Sequence, residues 1–227
     1  MFKKTAVWNS DQLCPGSDGL TLVGQLGQSL DGQIATQTGQ SKYINDASGL
    51  KHLHELRAWA DVVVVGVGTV VADNPRLSVR LVDGSDPDRV IIDPTGRLPA
   101  DAICLTDPHV RRVVLTSGSS TNLNAPEGVE VSVLPRNGAT MDARAIRAWL
   151  GSQGWQRVLV EGGAKTLAQF LDADQLDCLH LITAPMLLGP GTPGLRGAVA
   201  KHLDQAKRFE TKLYGLGRDL LIECSFQ

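Results

Sequence analysis

Arg157-Val158-Leu159-Val160-Glu161-Gly162-Gly163-Ala164-Lys165-Thr166-Leu167-Ala168 changes character twice. It opens on an apolar run too short for a helix, passes through two glycines, and continues in helix formers, so it reads strand, turn, helix. A strand with no polar face belongs in a sheet covered on both sides, which favours parallel α/β construction. Working outward, Val62-Val63-Val64-Val65 has the same character and ends at Gly66 and Gly68. Arg89-Val90-Ile91-Ile92 and Arg112-Val113-Val114-Leu115 are two further β-branched runs, each with a polar end followed by Gly, Pro or Ser. Nearer the start, Leu20, Leu22, Val23 and Leu26 form a strand-like run, and Ser29-Leu30-Asp31-Gly32 makes a turn before Ile34 and Ala35, Gly32 permitting the bend. Leu50, Leu53, Leu56 and Trp59 recur every three residues behind the N-cap candidates Asp46 and Ser48, which predicts a helix ending near Asp61. Residues 129–134 read as a strand and 142–150 as a helix with Ile146, Trp149 and Leu150 on its apolar side. Leu179 to Ile182 begins a hairpin-like C-terminal region ending at residues 220–223.

The chain has 227 residues, of which 42% are hydrophobic and 20% charged, enough for one substantial core. Residues 1–19 read as an irregular N-terminal arm and 20–227 as a single domain, with no repeat or linker dividing it. The formal net charge of −2 provides no positive field for nucleic acid or an anionic membrane. Lys3 and Lys4 are not followed by an apolar block of signal-peptide length, and the longest apolar run is far shorter than a membrane span, so a cytoplasmic protein is expected. Cys14, Cys104, Cys178 and Cys224 are scattered, and the five histidines show no ligand spacing, so neither structural zinc nor a disulfide framework is expected.

Ligands on parallel sheets sit beyond the carboxyl ends of the strands, where the glycine-bearing loops gather. Gly162 and Gly163 either let a phosphate approach the backbone N–H groups at a helix N-terminus or merely make a tight strand-to-helix turn. Neither this pair nor Gly66-Val67-Gly68 completes the GxGxxG fingerprint of the standard dinucleotide fold. Residues 69–80 read as one loop containing Thr69, Asp73, Asn74, Arg76 and Arg80; its arginines either grip a phosphate or are simply solvated. Arg57 reads as a partner for the helix C-terminal dipole. Asp31, Asp73 and Glu161 are candidate acids, but no carboxylate pair, Cys/His pair or Ser/His/Asp order defines a hydrolase. Hydride transfer needs no nucleophile, so a site of glycines, hydroxyls and arginines suits it.

Taken together, the segments SLDGQIA (29–35), TGQSKYI (38–44), LRAWADVVVVGVGTVVADNPRLSVR (56–80), RVIIDPTGRLP (89–99), VLVEGGAKTL (158–167) and APMLLGPG (184–191) resemble the reductase domain of the bifunctional riboflavin-biosynthesis deaminase-reductase. The resemblance covers about residues 20–222 in family order. It implies a dihydrofolate reductase-like α/β fold, with a mixed, mostly parallel central sheet and helices on both faces. It also implies NADPH-dependent reduction of 5-amino-6-(5-phosphoribosylamino)uracil, ribosylamino becoming ribitylamino. On the matching positions, Ser41, Arg57, Leu77, Arg80 and Glu161 fall where the family contacts substrate, with Ser41, Arg57 and Arg80 facing its phosphate. Tyr43, Thr69, Asp73 and the turn Gly162, Gly163, Ala164, Lys165, Thr166 and Leu167 fall where it binds the nicotinamide cofactor. Asp73, Glu161 and Gln25 are the candidates for catalysis.

Gln25 is a departure, because many bacterial members carry lysine four residues before the Ser of SLDG and an amide can only hydrogen-bond where an ammonium can polarise or protonate. No zinc-ligand signature precedes residue 20, so a separate deaminase is expected to serve the pathway. The family commonly forms homodimers. For the 2′-phosphate of NADPH the candidates are Ser117, Ser119 and Ser120 with Arg111 or Arg112 nearby. The alternatives are a reductase of the related diaminopyrimidinone phosphate or of another heterocycle such as dihydrofolate, and, in another class, a noncatalytic dinucleotide-binding protein.

Overall fold

The computed structural model describes residues 8, 13, 16, 18–118, 125–137, 140–198 and 200–226, so Cys14, Ser119 and Ser120 lie outside the described residues. The strands are β1 (Thr21–Ser29), β2 (Gln33–Thr36), β3 (Val62–Gly66), β4 (Asp88–Ile92), β5 (Arg112–Thr116), β6 (Glu130–Val133), β7 (Arg136–Asn137), β8 (Thr140–Met141), β9 (Arg157–Glu161), β10 (Cys178–Ala184), β11 (Gly191–Pro193), β12 (Glu210–Leu216) and β13 (Asp219–Ser225). The α-helices are α1 (Ala47–Trp59), α2 (Val67–Asp73), α3 (Ala143–Ser152) and α4 (Ala164–Asp172). Nine of the strands form one sheet in the order β12-β13-β10-β1-β9-β3-β4-β5-β6. From β10 to β6 every pairing is parallel, whereas β13 runs antiparallel to β10 and β12 antiparallel to β13. The sheet is therefore mixed and mostly parallel, in keeping with the dihydrofolate reductase-like expectation.

Side chains alternate between two cores. Leu22, Val62, Val64, Val113, Val158 and Val160 face Ile146 and Leu150 of α3 and Leu167 and Phe170 of α4. Val23, Val63, Val65, Ile91, Val114 and Leu159 face Leu56 of α1, Val67 and Val70 of α2, and Leu77. Helices thus cover both faces, which explains why the strands read as continuous apolar runs. The Asp46 side chain accepts from the Ser48 and Gly49 N–H groups and starts α1, as the capping pattern predicts. Asp142 does the same for α3 through Arg144 N–H.

Two local readings change. Residues 67–73 form a short helix rather than the beginning of one long loop, because Gly66 ends β3 and Val67 and Val70 bury themselves against the sheet. The hairpin at the C-terminus is β12–β13; β10, which the pattern placed at its beginning, is parallel to β1 and links that hairpin to the central sheet. The described cysteines Cys104, Cys178 and Cys224 are buried. No helix among the described residues is long and apolar enough to cross a membrane.

A polar strip runs beneath α1. His52 Nε2 on α1 lies 2.9 Å from His180 Nδ1 on β10, and Trp8 meets both rings edge-on. Burial first, and then the His180 ring, push the His52 pKa from its ordinary 6.5 down to about 3. A histidine held neutral in this way takes up its proton more readily in the unfolded chain. Its contribution to stability is complete above pH 6.5 and is lost as pH falls toward the folded value. Urea unfolding midpoints will therefore drop between pH 6.5 and about 4, and His52→Gln will flatten that dependence; an unchanged slope would show that this ring does not titrate on unfolding.

Candidate active site

The parallel strands deliver their carboxyl ends to one edge of the sheet, and two glycine turns stand side by side there. Gly162 ends β9 with φ +111, a left-handed conformation that disfavours any side chain, and a Cβ at this position would sit 2.7 Å from Thr69 Oγ1. Thr69 belongs to α2, and its Oγ1 accepts a 2.8 Å hydrogen bond from Gly163 N–H. Across the same gap, a Cβ on Gly66 would collide with Thr166 Oγ1 of α4. The starts of α2 and α4 are thus packed as closely as two backbones and two threonines allow. No side chain caps α4, and its first turn carries no acid. Its N-terminal N–H groups and positive dipole end suit an anion, so Gly162, Gly163, Ala164, Lys165 and Thr166 fit the pyrophosphate of a dinucleotide. Leu167 anchors that turn from below, fully buried in the core.

Beside this turn, Arg57 and Glu161 form a buried bidentate ion pair, with Nε and Nη2 donating to the carboxylate at 2.6 and 2.7 Å. The side chains are each 7% exposed. Burial opposes the Arg57 charge, but Glu161 outweighs it and holds the arginine pKa above its ordinary value. Arg57 is therefore a partner for a carboxylate rather than for the helix dipole, a correction that only the β9 register makes visible. Its Nη1 also donates to Ser78 O at 3.0 Å, fixing the segment after α2.

That segment gathers positive charge. Arg80 is exposed, and its pKa is lowered by partial burial, then by Arg57 and Arg76. Arg80 Nη1 donates to Ser78 Oγ, and its backbone N–H to His54 Nδ1 at 2.9 Å. Burial, and after it Arg57 and Arg80, drive the His54 pKa down to about 4, so the ring stays a neutral acceptor. Arg57 is already paired with Glu161, and Asp86 and Glu161 offset part of the charge around Arg80, so Arg76 and Arg80 are the guanidiniums open to an anion. Arg76 joins this group, one of the two arginines for which the sequence left phosphate binding and simple solvation open. Leu77 takes φ +56 and turns its side chain into the core, so a ligand would meet its backbone.

The remaining candidates fall around the same rim. Ser41 Oγ donates to Asp73 Oδ1 at 3.0 Å, joining two residues far apart in sequence. Tyr43 is 80% exposed with φ +68 on the same loop. Gln25 is buried in β1, aligned with Glu161 on one side and His180 on the other. Asp31 serves the loops instead: it accepts from Ser29 Oγ at 2.5 Å and from Leu188 and Gly189 N–H, bonds that hold its pKa below the usual range. Arg111 and Arg112 do not approach Ser117, because they open β5 and Ser117 follows its end.

The RibD C-terminal domain model matches residues 21–214. The riboflavin biosynthesis protein RibD of Aquifex aeolicus is 34% identical over 200 residues, covering 86% of this chain and 54% of that protein. The chain thus spans about half the length of that relative. A 2,5-diamino-6-ribosylamino-4(3H)-pyrimidinone 5′-phosphate reductase of Methanothermobacter thermautotrophicus is 32% identical, covering 86% of this chain and 92% of that protein. Among solved structures, a diaminohydroxyphosphoribosylaminopyrimidine deaminase/5-amino-6-(5-phosphoribosylamino)uracil reductase of Thermotoga maritima superposes with a TM-score of 0.80 at 28% identity. That superposition covers 92% of this chain and 57% of the other.

The glycine turn provides a test that separates cradle from scaffold. Gly162→Ala will weaken binding of a nicotinamide dinucleotide more than about tenfold, whereas Gly154→Ala, also at positive φ but with open space around it, will cost about 1–3 kcal/mol of stability and leave binding unchanged. Tryptophan fluorescence titration and urea unfolding read the two effects separately; equal binding losses in both variants would remove the turn from the site.

Proposed function

Because the chain belongs to the RibD C-terminal domain family, we propose that it is an NADPH-dependent oxidoreductase reducing 5-amino-6-(5-phosphoribosylamino)uracil in riboflavin biosynthesis. The observation that carries this reading is the cluster of Arg57, Arg76 and Arg80 set beside the Gly162–Gly163 turn, one site for a phosphorylated substrate next to one for a dinucleotide. When bound, NADPH supplies the hydride that converts the ribosylamino carbon to its ribityl form.

The protein's own groups divide the remaining work. Arg76 and Arg80 hold the substrate phosphate by charge and hydrogen bonds, while Arg57 stays engaged with Glu161. Glu161, bonded to two guanidinium nitrogens of Arg57, has further acceptor positions for hydrogen bonds from the substrate. Opening of the ribose ring places a developing negative charge on its oxygen, and the Gln25 amide is a neutral donor for that oxygen where an ammonium would add charge. Ser41 and Asp73, bonded to each other, form the rim over which Tyr43 and Thr69 approach the cofactor. A deaminase, separate or fused, would supply the uracil substrate, and the exposed edge strand β12 suits pairing with a second copy of the chain.

A second reading, reduction of the related diaminopyrimidinone phosphate, is supported by the match along 92% of the Methanothermobacter reductase. Dihydrofolate offers no phosphate for the arginine cluster, and a noncatalytic role would leave that cluster without a use.

The test is substrate-dependent NADPH oxidation with each phosphorylated pyrimidine. Arg80→Ala will raise the substrate KM at least about tenfold, the value of one lost charge-assisted contact, with a smaller effect on the NADPH KM. Asp73→Ala will act mainly through the cofactor KM. Arg57→Ala is less informative, because stripping the partner from buried Glu161 costs about 3–5 kcal/mol of stability. NADPH binding without turnover on either pyrimidine would rule the proposal out.

A further inference from the structure

An arginine holds a phosphate well only when its backbone is placed in advance, and residues 74–80 lie in neither helix nor strand, so no backbone ladder fixes Arg80. Side chains from other elements pin this segment instead, at three consecutive residues. Arg57 Nη1 donates to Ser78 O at 3.0 Å, Val79 N–H donates to Asp86 Oδ1 at 2.7 Å, and Arg80 N–H donates to His54 Nδ1 at 2.9 Å. Asp86 is anchored in turn, its Oδ2 accepting from Nη2 of the buried Arg89 at 3.0 Å.

We propose that His54, acting as a neutral hydrogen-bond acceptor, is the positioning residue that aims Arg80 at the substrate phosphate. This rests on the reading that Arg80 holds that phosphate. His54 is 3% exposed and precedes Arg57 by three residues on α1, so one face of the helix carries both the ring that holds Arg80 N–H and the guanidinium that holds Ser78 O. The two bonds fall on either side of Val79. They fix where the segment lies and the direction in which the side chain of residue 80 leaves it.

The chemistry of the acceptor matters as much as its place. Accepting at Nδ1 puts the ring proton on Nε2 and leaves the imidazole uncharged, the state that burial and the nearby Arg57 and Arg80 favour. A carboxylate here would also accept the N–H, but it would set a negative charge beside Arg57 and Arg80 and compete with an incoming anion. An imidazolium would offer no acceptor at all. The neutral ring satisfies the N–H and leaves the Arg80 guanidinium, bonded through Nη1 to Ser78 Oγ, exposed and charged.

Asparagine carries Oδ1 where histidine carries Nδ1, one bond beyond Cγ, whereas glutamine places its oxygen one bond further out but is the better helix former. Geometry and helix stability therefore predict opposite orders for His54→Asn and His54→Gln. The experiment measures substrate-dependent NADPH oxidation and calorimetric binding of ribose 5-phosphate for wild type, both variants, Arg80→Ala and the double variant His54→Gln with Arg80→Ala, with urea unfolding of each. His54→Gln is expected to raise the substrate KM and the ribose 5-phosphate Kd about 3- to 10-fold, the value of one hydrogen bond, while His54→Asn stays within about twofold of wild type. The NADPH KM and kcat of both His54 variants stay within about twofold, and on the Arg80→Ala background His54→Gln adds less than about twofold, because its effect passes through Arg80. Equal losses for the two variants, losses that follow the unfolding midpoints or extend to NADPH, or a full effect in the absence of Arg80 would overturn the proposal, as would a wild type that binds neither substrate nor ribose 5-phosphate. Absence of turnover on either pyrimidine, with the same pattern in ribose 5-phosphate binding, would support the His54 assignment while counting against the reductase reading.

Discussion

The Arg57–Glu161 ion pair is the constraint around which the site is arranged. It joins the last turn of α1 to the end of β9, and so fixes a helix on one face of the sheet to the strand that feeds the glycine turn of α4. Two opposite charges removed from water together hold each other in one geometry, and either one alone would be costly to bury. The third bond of Arg57, to Ser78 O, extends the constraint to the segment bearing Arg76 and Arg80. One guanidinium therefore sets the relation between the segment bearing Arg76 and Arg80 and the Gly162–Gly163 turn. Its own charge is already neutralised by Glu161, whereas its two arginine neighbours are exposed.

The ion pair is one end of a longer polar row. Glu161, Gln25, His180, Glu223 and Lys212 occupy aligned positions on five adjacent strands beneath α1. His180 Nε2 lies 3.5 Å from Glu223 Oε2, and Lys212 Nζ lies 3.4 Å from Glu223 Oε1. A line of polar groups through an otherwise apolar sheet requires each to find a partner, on α1 as Glu161 and His180 do or in the next strand as Glu223 and Lys212 do. An amide in the middle of this row is compatible with neighbours that are already paired in a way that an additional ammonium would not be.

The glycine turns show the complementary device, a close approach rather than a strong bond. Gly66 and Gly162 are small because threonine side chains from the opposite helix occupy the space a Cβ would need. That reciprocal packing brings two helix N-termini to one point on the sheet edge, with Thr69 Oγ1 tying them together. A pair of glycines in sequence is ambiguous between a tight turn and a phosphate cradle; their being packed against a second helix start, with no side-chain cap on α4, favours the cradle.

The sequence alone determined the layered α/β architecture, since uniformly β-branched runs bounded by glycines have few other uses, and it determined where α1 and α3 begin, since Asp46 and Asp142 act locally. It also carried the motifs that mark the family. What tertiary structure decided was which charges meet. Arg57 and Glu161 are 104 residues apart, Ser41 and Asp73 are 32 apart, and no local pattern encodes either contact. Residues 67–73 became helical because Val67 and Val70 gain burial against the sheet, which seven residues read by themselves do not show. Arg111 and Arg112 look close to Ser117 along the chain but are held apart by an extended strand. Chain separation does not measure distance, because an extended strand spreads near neighbours apart while parallel pairing brings the ends of distant strands together.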